Sequence, residues 1–220
     1  MSNSIKAIIS TEYLPPIDYF RVIKRFPEWE IEQFENYQKQ SYRSRCHIYS
    51  ANGLLPLIIP VDRSSGLSIP VREIKIDNSK DWQKQHWRAI VSAYNSTPFF
   101  EYFRDDFEPF YNKNFNFLFD YNTQFLRLLM DLLNIRQEIK FTSEFRHDYG
   151  GDSSDLLCYD FRNTIHPKRK LTQNQKELIS NPADQNGHNS YHQLFSEKFG
   201  FIDGLSVIDL IFNEGVSAKI

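Results

Sequence analysis

Hydrophobic and polar positions near the start of the chain predict a strand, a helix and a second strand. The apolar run at residues 7–9 lies inside a short segment that favours a buried strand. A proline pair at residues 15–16 breaks this segment. Because proline favours the first turn of a helix, we predict a helix over residues 17–25. Trp29 and Ile31 then alternate with glutamates, which indicates a second strand.

Two further strand-like segments, residues 45–49 and 54–61, are separated by the dipeptide Asn52-Gly53. An Asn-Gly pair between such segments favours a hairpin turn, so we predict that these two strands pair with each other. Apolar and charged side chains also alternate over residues 71–76, and this pattern indicates another strand.

After Ser79 the hydrophobic positions recur with the period of a helix, and Ser79 itself can cap the first turn. Pro98 ends this predicted helix. Short helical pieces are predicted around residues 101–111, and a long helix follows over about residues 113–134. Residues 139–142 are candidates for a return to the sheet.

The later part of the chain, residues 149–185, has the least regular pattern. It includes the basic run at residues 168–170, which is typical of an exposed loop. A short helix is predicted over residues 205–212, with Ser206 as its N-terminal cap and Gly215 as its C-terminal cap.

Chain length and composition support a folded core and exclude several classes of partner. With 220 residues and neither a repeat nor a linker, residues 1–220 are predicted to form a single α/β domain. In this domain the N-terminal strand-helix-strand unit and the hairpin make a mixed β-sheet covered by helices. Hydrophobic residues make up 40% of the chain, enough for a sizeable core, and the net charge of -2 gives no reason to expect nucleic acid as a partner.

The expected setting is the cytoplasm. No apolar run approaches the roughly 20 residues that a membrane span needs, and residues 1–9 lack the features of a signal peptide. The chain has only two cysteines, Cys46 and Cys158, so no disulfide framework is expected and a reducing compartment fits best.

His86 is the first candidate for chemistry. It lies four residues after Trp82 and four before Ile90, so it points from the apolar face of the predicted helix. The pKa of a buried imidazole can be moved across neutral pH, which suits acid–base catalysis. The alternative is a core histidine whose hydrogen bonds are satisfied within the protein.

Asn122 and Glu12 are candidates for contact with a substrate. Asn122 interrupts the apolar stripe between Leu118 and Phe125, and a buried amide needs partners, which are either a ligand or a loop. Glu12 follows the first strand, and the carboxyl ends of parallel strands host ligands in open sheets. Glu12 is therefore a candidate base or a candidate for binding a hydroxyl, with a cap or turn role as the alternative.

The segment at residues 38–45 carries a third set of candidates, Lys39, Arg43 and Arg45. Loops at strand ends are favoured ligand sites, and cations of this kind suit phosphate or carboxylate groups. The alternative is a solvated connector between two strands.

Other reactive side chains lack the arrangement that chemistry needs. Cys46 and His47 are adjacent in a predicted strand and would point to opposite faces, so no Cys–His dyad is expected. His188 and His192 are four residues apart but lie in a segment rich in Asn, Gly and Ser, so no metal site is predicted. The chain has neither a GxGxxG nor a GxxxxGK[ST] motif, and no cofactor is predicted.

The order of several motifs resembles the WbqC-like protein family. The matching segments are residues 10–20 (STEYLPPIDYF), 37–45 (YQKQSYRSR), 57–61 (LIIPV), 82–86 (WQKQH), 94–100 (YNSTPFF), 191–193 (YHQ) and 205–215 (LSVIDLIFNEG). The resemblance covers nearly the whole chain, and its closing motif is the most specific. The chain departs from the family pattern at Thr11-Glu12, where the family has Gln-Pro, and at Ser44, where it has Asn.

The resemblance implies a bacterial protein of surface-polysaccharide (O-antigen, lipopolysaccharide) biosynthesis, with a small-molecule substrate. The implied activity is transfer of an acyl or aminoacyl group to an amino-sugar nucleotide. In this hypothesis the cations of residues 38–45 hold phosphate, His86 deprotonates the attacking amine or hydroxyl, and Asn122 and Glu12 orient the sugar. The hypothesis requires that these residues converge in one pocket.

A competing hypothesis is a non-catalytic interaction protein of the same pathway. Aromatic residues cluster near the end of a predicted helix, and an exposed aromatic cluster would mark a partner surface. The cluster comprises Tyr94, Phe99, Phe100, Tyr102 and Phe103. Burial of these rings therefore distinguishes the two hypotheses.

Overall fold

Two sheets and seven α-helices make up the part of the chain that the computed structural model describes, residues 5–62, 68–149, 157–180 and 191–217. The strands are β1 (Ile5–Ser10), β2 (Glu28–Glu32), β3 (Arg45–Ser50), β4 (Gly53–Ile58), β5 (Lys140–Phe141) and β6 (Leu157–Asp160). The helices are α1 (Ile17–Arg25), α2 (Trp82–Tyr94), α3 (Phe100–Asn112), α4 (Leu118–Leu132), α5 (Gln173–Ile179), α6 (Ser196–Phe199) and α7 (Val207–Glu214).

Four parallel strands form the larger sheet, in the order β5-β2-β1-β6. β1 pairs with β2, where Ile9 lies opposite Ile31, and with β6, where Ile8 lies opposite Asp160. Chain order therefore runs from β1 to β2 and β5 on one side, whereas β6 returns to the other side of β1. In open α/β sheets, ligands bind outside the carboxyl ends of the strands at such a reversal.

The hairpin β3–β4 forms a separate antiparallel sheet. Arg45 lies opposite Ile58 and His47 opposite Pro56, so these four side chains share one face of the hairpin. Gly53 enters the second strand with a φ of 94°, which glycine adopts without strain. The parallel strands and the antiparallel pair together confirm the predicted α/β fold with mixed strand directions.

Helices α2, α3 and α4 bring many of the aromatic side chains into one core. Phe100, Phe103, Phe107 and Tyr111 of α3 recur every three or four residues and are all buried, as expected for one helix face. Phe125 of α4 packs against this row. Burial of each such side chain contributes roughly 1.5–3 kcal/mol, so this cluster provides much of the stability of the fold.

Residues 71–76, predicted as a strand, instead begin with a 3₁₀ turn over the first three residues. Val71 and Ile74 are both buried because three residues complete one turn of a 3₁₀ helix. The predicted cap Ser79 also has another role. Its hydroxyl and its backbone N–H both donate to the carboxylate of Asp77, before α2 begins.

The helices of the second half differ in extent from their prediction. The short pieces predicted at residues 101–111 are one helix, α3, which continues through Pro109 because its buried aromatic face holds it in place. α4 begins at Leu118, later than predicted. The region read as irregular contains β6 and α5, and α5 starts with a capping box between Thr172 and Gln175.

Candidate functional site

A buried ion pair lies at the carboxyl end of β1. Nε of Arg43 donates to Oε1 of Glu35 at 2.9 Å, and Nη2 donates to Oε2 at 2.6 Å. Nη2 also donates to the hydroxyl of Ser10 at 2.8 Å and to the carbonyl of Arg162 at 3.3 Å. The side chains of Arg43 and Glu35 are only 2% and 6% exposed. The guanidinium of Arg43 is therefore occupied by partners within the protein.

Glu12 lies near this pair, and its Oε2 has no hydrogen-bond partner in the protein. Burial raises the pKa of Glu12 well above its usual value; the charges of Glu35 and Asp18 add to this rise, whereas Arg43 opposes it. A carboxyl group with a raised pKa suits proton transfer near neutral pH. A buried unsatisfied oxygen costs about 1–3 kcal/mol, so packing alone gives no reason to place it there.

A second charged network occupies the rest of the carboxyl edge. Arg162 binds Asp160 at 2.9 Å through Nε and at 2.6 Å through Nη2, and it lies 3.7 Å from Glu32. The carboxylate of Glu32 accepts hydrogen bonds from Thr142 at 2.9 Å and from Tyr149 at 3.2 Å. Hydrogen bonds and ion pairs thus connect the carboxyl ends of β2, β5 and β6 at one edge of the sheet.

Asn122 reaches this edge from α4. Its Nδ2 donates to the backbone carbonyl of Arg43 at 2.8 Å, and its buried Oδ1 has no partner in the protein. The amide therefore holds the loop that carries Arg43, and Oδ1 can still accept a hydrogen bond.

His86 lies in the aromatic core and is connected to the edge through Tyr13, the residue after Glu12. Nδ1 of His86 and the hydroxyl of Tyr13 are 3.0 Å apart, and the hydroxyl of Tyr111 lies 3.0 Å from that of Tyr13. His86 also forms a hydrogen bond with the backbone of Ile58. Burial lowers the pKa of His86 to about 4, so the imidazole is neutral at pH 7. This geometry is that of a satisfied core histidine.

Lys39 and Arg45 line a separate cleft of about 360 Å³ beside β3, which we call the side cleft. Its other lining residues include Tyr37, Ser44, Asp77 and Lys80. Lys39 is exposed, and Nε of Arg45 is buried without a partner in the protein. The three cations predicted to bind phosphate are therefore divided, with Arg43 in the buried ion pair and the other two in the side cleft.

A cleft of about 350 Å³ lies beside the reversal of strand order and is called the switch-point cleft. Its lining includes Pro16 after β1 and the loop at residues 164–171 after β6. Tyr42 also lines this cleft. Burial raises the pKa of its phenol, and the negative charge of nearby Glu12 raises that pKa further. The other titratable lining residues are Asp18, His47, His166, Lys168, Arg169, Lys170, Lys176 and Asp203.

The sequence pattern identified residues 168–170 only as an exposed loop. The basic run was visible in the sequence, but the position of this loop beside the same cleft as Pro16 and Tyr42 depends on the pairing of β6 with β1. That pairing joins segments about 150 residues apart, as the hydrogen bond from Ser10 to Arg162 illustrates.

The remaining reactive residues do not gather into a site in the described ranges. Cys46 is fully buried and Cys158 is half-buried. His188 lies outside the described residues, and His192 is exposed. Within the ranges that the structure describes, no group of three or more His, Cys, Asp or Glu side chains is placed to hold a metal ion. None of the helices described has both the length and the hydrophobicity needed to cross a membrane.

The aromatic cluster near the start of α3 belongs mainly to the core. Tyr94, Phe100 and Phe103 are at most 2% exposed, whereas Phe99 is 37% and Tyr102 is 78% exposed. Two of the five rings, three residues apart at the start of α3, are therefore at the surface. Packing in the core thus explains three of the five rings on which the interaction-protein hypothesis was based.

Comparison with known proteins gives a family and one curated relative. The model of the WbqC-like protein family matches residues 11–220. An uncharacterised protein of Mycobacterium tuberculosis is 27% identical over 225 residues, which cover 96% of this chain and 94% of the relative. No solved structure matches the chain significantly.

Proposed function

Because the chain belongs to the WbqC-like protein family, we propose that it is a cytoplasmic transferase of bacterial surface-polysaccharide biosynthesis. It passes an acyl or aminoacyl group to the amine of an amino-sugar nucleotide. The observation that supports this function best is the buried carboxyl of Glu12, which has a raised pKa and one oxygen without a partner in the protein. It lies behind the switch-point cleft, near the lining residue Tyr42.

In the proposed reaction the amine nitrogen attacks the carbonyl carbon of an activated acyl ester or thioester. A carbon–nitrogen bond forms, the bond from that carbon to the ester oxygen or thiol sulfur breaks, and the amine loses one proton. Glu12 accepts this proton and returns it to the departing alcohol or thiol. Raising the pKa of a carboxyl towards neutrality favours both steps, since the group then binds and releases a proton readily.

The proposal gives the other candidate residues supporting roles. Glu12 takes the role of base that the sequence pattern gave to His86, and His86 positions Tyr13 beside it. Arg43 sets the charge around Glu12, and Oδ1 of Asn122 is available to a hydroxyl of the sugar. Lys39 and Arg45 of the side cleft remain proposed contacts for an anionic group of either substrate.

The test is product formation. The protein is incubated with uridine-diphosphate and thymidine-diphosphate amino sugars and a panel of acyl thioesters and aminoacyl esters, and acylated sugar nucleotide is detected by mass spectrometry. Glu12→Gln is expected to slow the reaction by about a hundredfold or more, as loss of a general base does. Glu138→Gln makes the same chemical change at an exposed position and should leave the rate unchanged.

Two results would contradict the proposal. One is equal rates for Glu12→Gln and Glu138→Gln, which would remove Glu12 from the chemistry. The other is the absence of both a product and a thermal shift with every sugar nucleotide and acyl donor, which would remove the transferase itself.

A further inference from the structure

We propose that the switch-point cleft binds a diphosphate group through Lys168, Arg169 and the ring of His166. This inference deepens the proposed function by locating the group that joins the sugar to the nucleoside, and it rests on that function only for the identity of the substrate. The cleft had no part in the site predicted from the sequence, where phosphate was assigned to residues 38–45.

The charges that line the cleft are unbalanced. Its lysine and arginine side chains outnumber its two carboxylates, Asp18 and Asp203. Asp18 is already paired with Arg21 at 2.8 Å, and Asp203 accepts a backbone hydrogen bond at 2.9 Å. In the described part of the chain, neither Lys168 nor Arg169 forms an ion pair with a carboxylate. Nζ of Lys168 donates to the amide oxygen of Gln40, and Nη1 of Arg169 donates to the carbonyl of Asn163 at 3.3 Å. Both partners are uncharged, so neither positive charge is balanced, and both attract an anion.

An ordered turn presents these cations to the cleft. The backbone N–H of Arg169 donates to the carbonyl of His166 at 3.1 Å, and the N–H of Lys168 donates to Nδ1 of His166, also at 3.1 Å. Because Nδ1 accepts a hydrogen bond, the proton of the neutral ring lies on Nε2, which can donate to an anion. The buried side chain of Ile165 anchors the turn to the core.

Several positive charges affect His166, one of the residues that line the cleft. Burial lowers the pKa of His166, and the charges of Arg169, Arg43, Lys168 and Arg45 lower it further. These side chains come from two segments that the chain order separates widely, residues 43–45 and 166–169. Arg43 is paired with Glu35 and Arg45 lines the side cleft, so Lys168 and Arg169 are the cations that a ligand beside His166 would meet. Two such charges favour a ligand that carries more than one negative charge.

Size and location agree with a ligand that has a diphosphate. A volume of about 350 Å³ falls within the range of small-molecule sites, which is roughly 300–1,000 Å³. The cleft lies at the carboxyl ends of β1 and β6, where the strand order reverses. Arginine presents a planar fork that binds two phosphate oxygens at once, so Arg169 is suited to a diphosphate.

The experiment is calorimetric titration of the whole protein with inorganic pyrophosphate and with uridine-diphosphate amino sugars. Lys168→Gln with Arg169→Gln is expected to weaken pyrophosphate binding by about a hundredfold, because each of the two lost hydrogen bonds between charged groups is worth about tenfold. Lys84→Gln with Arg88→Gln removes the same charge from exposed positions of α2 and should change the affinity by less than about twofold.

The outcomes separate this site from the proposed function. Equal weakening in the two double variants, or no binding of pyrophosphate at all, would overturn the diphosphate site. Binding of the sugar nucleotide that is unaffected by Lys168→Gln with Arg169→Gln would also overturn it while leaving the transferase proposal in place. Pyrophosphate binding that depends on these residues, without binding of any sugar nucleotide, would support the site and contradict the transferase.

Discussion

The core around His86 and the sheet edge around Glu12 are adjacent, yet they differ in whether a buried ionisable group has all its hydrogen-bond partners. In the core, Tyr13 and the backbone of Ile58 satisfy the imidazole, and burial keeps it neutral. At the edge, Arg43 and Glu35 satisfy each other, while one oxygen of Glu12 has no partner. A satisfied group is explained by packing, whereas an unsatisfied one needs another explanation, and that difference moved the proposed base from His86 to Glu12.

The largest expected effect tests whether the stability of the protein depends on the ion pair between Arg43 and Glu35 at the sheet edge. Arg43→Met leaves Glu35 buried without a counter-charge, next to Glu12, and should lower the free energy of unfolding by about 3–5 kcal/mol. Urea denaturation at pH 7 measures this change in the free energy of unfolding. Adding Glu35→Leu to the same chain removes the stranded carboxylate and should restore much of the loss. A loss below about 1 kcal/mol for Arg43→Met alone would show that the pair is not central.

The next effect tests the neutral imidazole of the core. Unfolded histidine titrates near pH 6.5 and His86 in the folded protein near 4, so between these values the unfolded chain binds more protons. Stability supplied by neutral His86 is complete above pH 6.5 and is lost as the pH falls to about 4. The loss amounts to about 3 kcal/mol, since a pKa difference of one corresponds to about 1.4 kcal/mol.

His86→Gln isolates this contribution from that of the buried carboxyls, whose raised pKa values act in the opposite direction. The variant should lose less stability than the original protein between pH 6.5 and pH 4, as measured by urea denaturation at several pH values. His192→Gln, at an exposed histidine, serves as the control. Identical pH profiles for the original protein and His86→Gln would mean that His86 is not held neutral by burial.

A smaller effect tests the cost of the unsatisfied carboxyl at the edge. The pKa of Glu12 is higher in the folded protein than in the unfolded chain. The contribution of Glu12 to the free energy of unfolding therefore falls as the pH rises above the pKa of an unfolded glutamate. Glu12→Gln cannot ionise and should be more stable than the original protein at pH 8, by about 0.5–2 kcal/mol, although its rate of transfer is expected to be lower. A variant less stable at pH 8 would place Glu12 among the packing residues.

The smallest effect concerns the exposed ring beside the aromatic core. Tyr102→Ala should change the free energy of unfolding by no more than about 0.5 kcal/mol, because the side chain is 78% exposed. Size-exclusion chromatography should give the same elution volume for the variant and the original protein. A change in elution volume would instead indicate that Tyr102 contacts another chain, in favour of the interaction-protein hypothesis.

The elements that were predictable carry their signal in a few local residues. The proline pair set the start of α1, and the observed helix, Ile17–Arg25, has the predicted bounds. Asn52-Gly53 set the hairpin, and Gly215 ends α7 with a φ of 75°. β6 was missed because its four residues are all at least partly exposed, so they show no alternation between buried and exposed positions. Its pairing with β1, and not a local pattern, makes it a strand.

The candidate site was predictable only in part, for a similar reason. Glu12 and Arg43 attract notice because polar residues at strand ends are candidates in any α/β fold. Glu35 and Arg162 belong to no motif, and their roles arise from contacts across the sheet edge, such as the bond between Arg43 and the carbonyl of Arg162, 119 residues later. Spacing along the chain contains no information about such distant contacts.

The position of α7 has a consequence for how the protein matures on the ribosome. The backbone N–H of Ser206, just before α7, donates to the carbonyl of His47 in β3. The N–H of Val207 donates to the carbonyl of Pro15, which follows β1, so the start of the helix is bound to both segments. Gly204, on the same segment, lines the switch-point cleft. Helix α3 and strand β3, which α7 contacts, are synthesised well before it, and forming contacts across such long stretches of chain slows folding. A nascent chain therefore completes the lining of the cleft only when residues 203–204, shortly before α7, have been made.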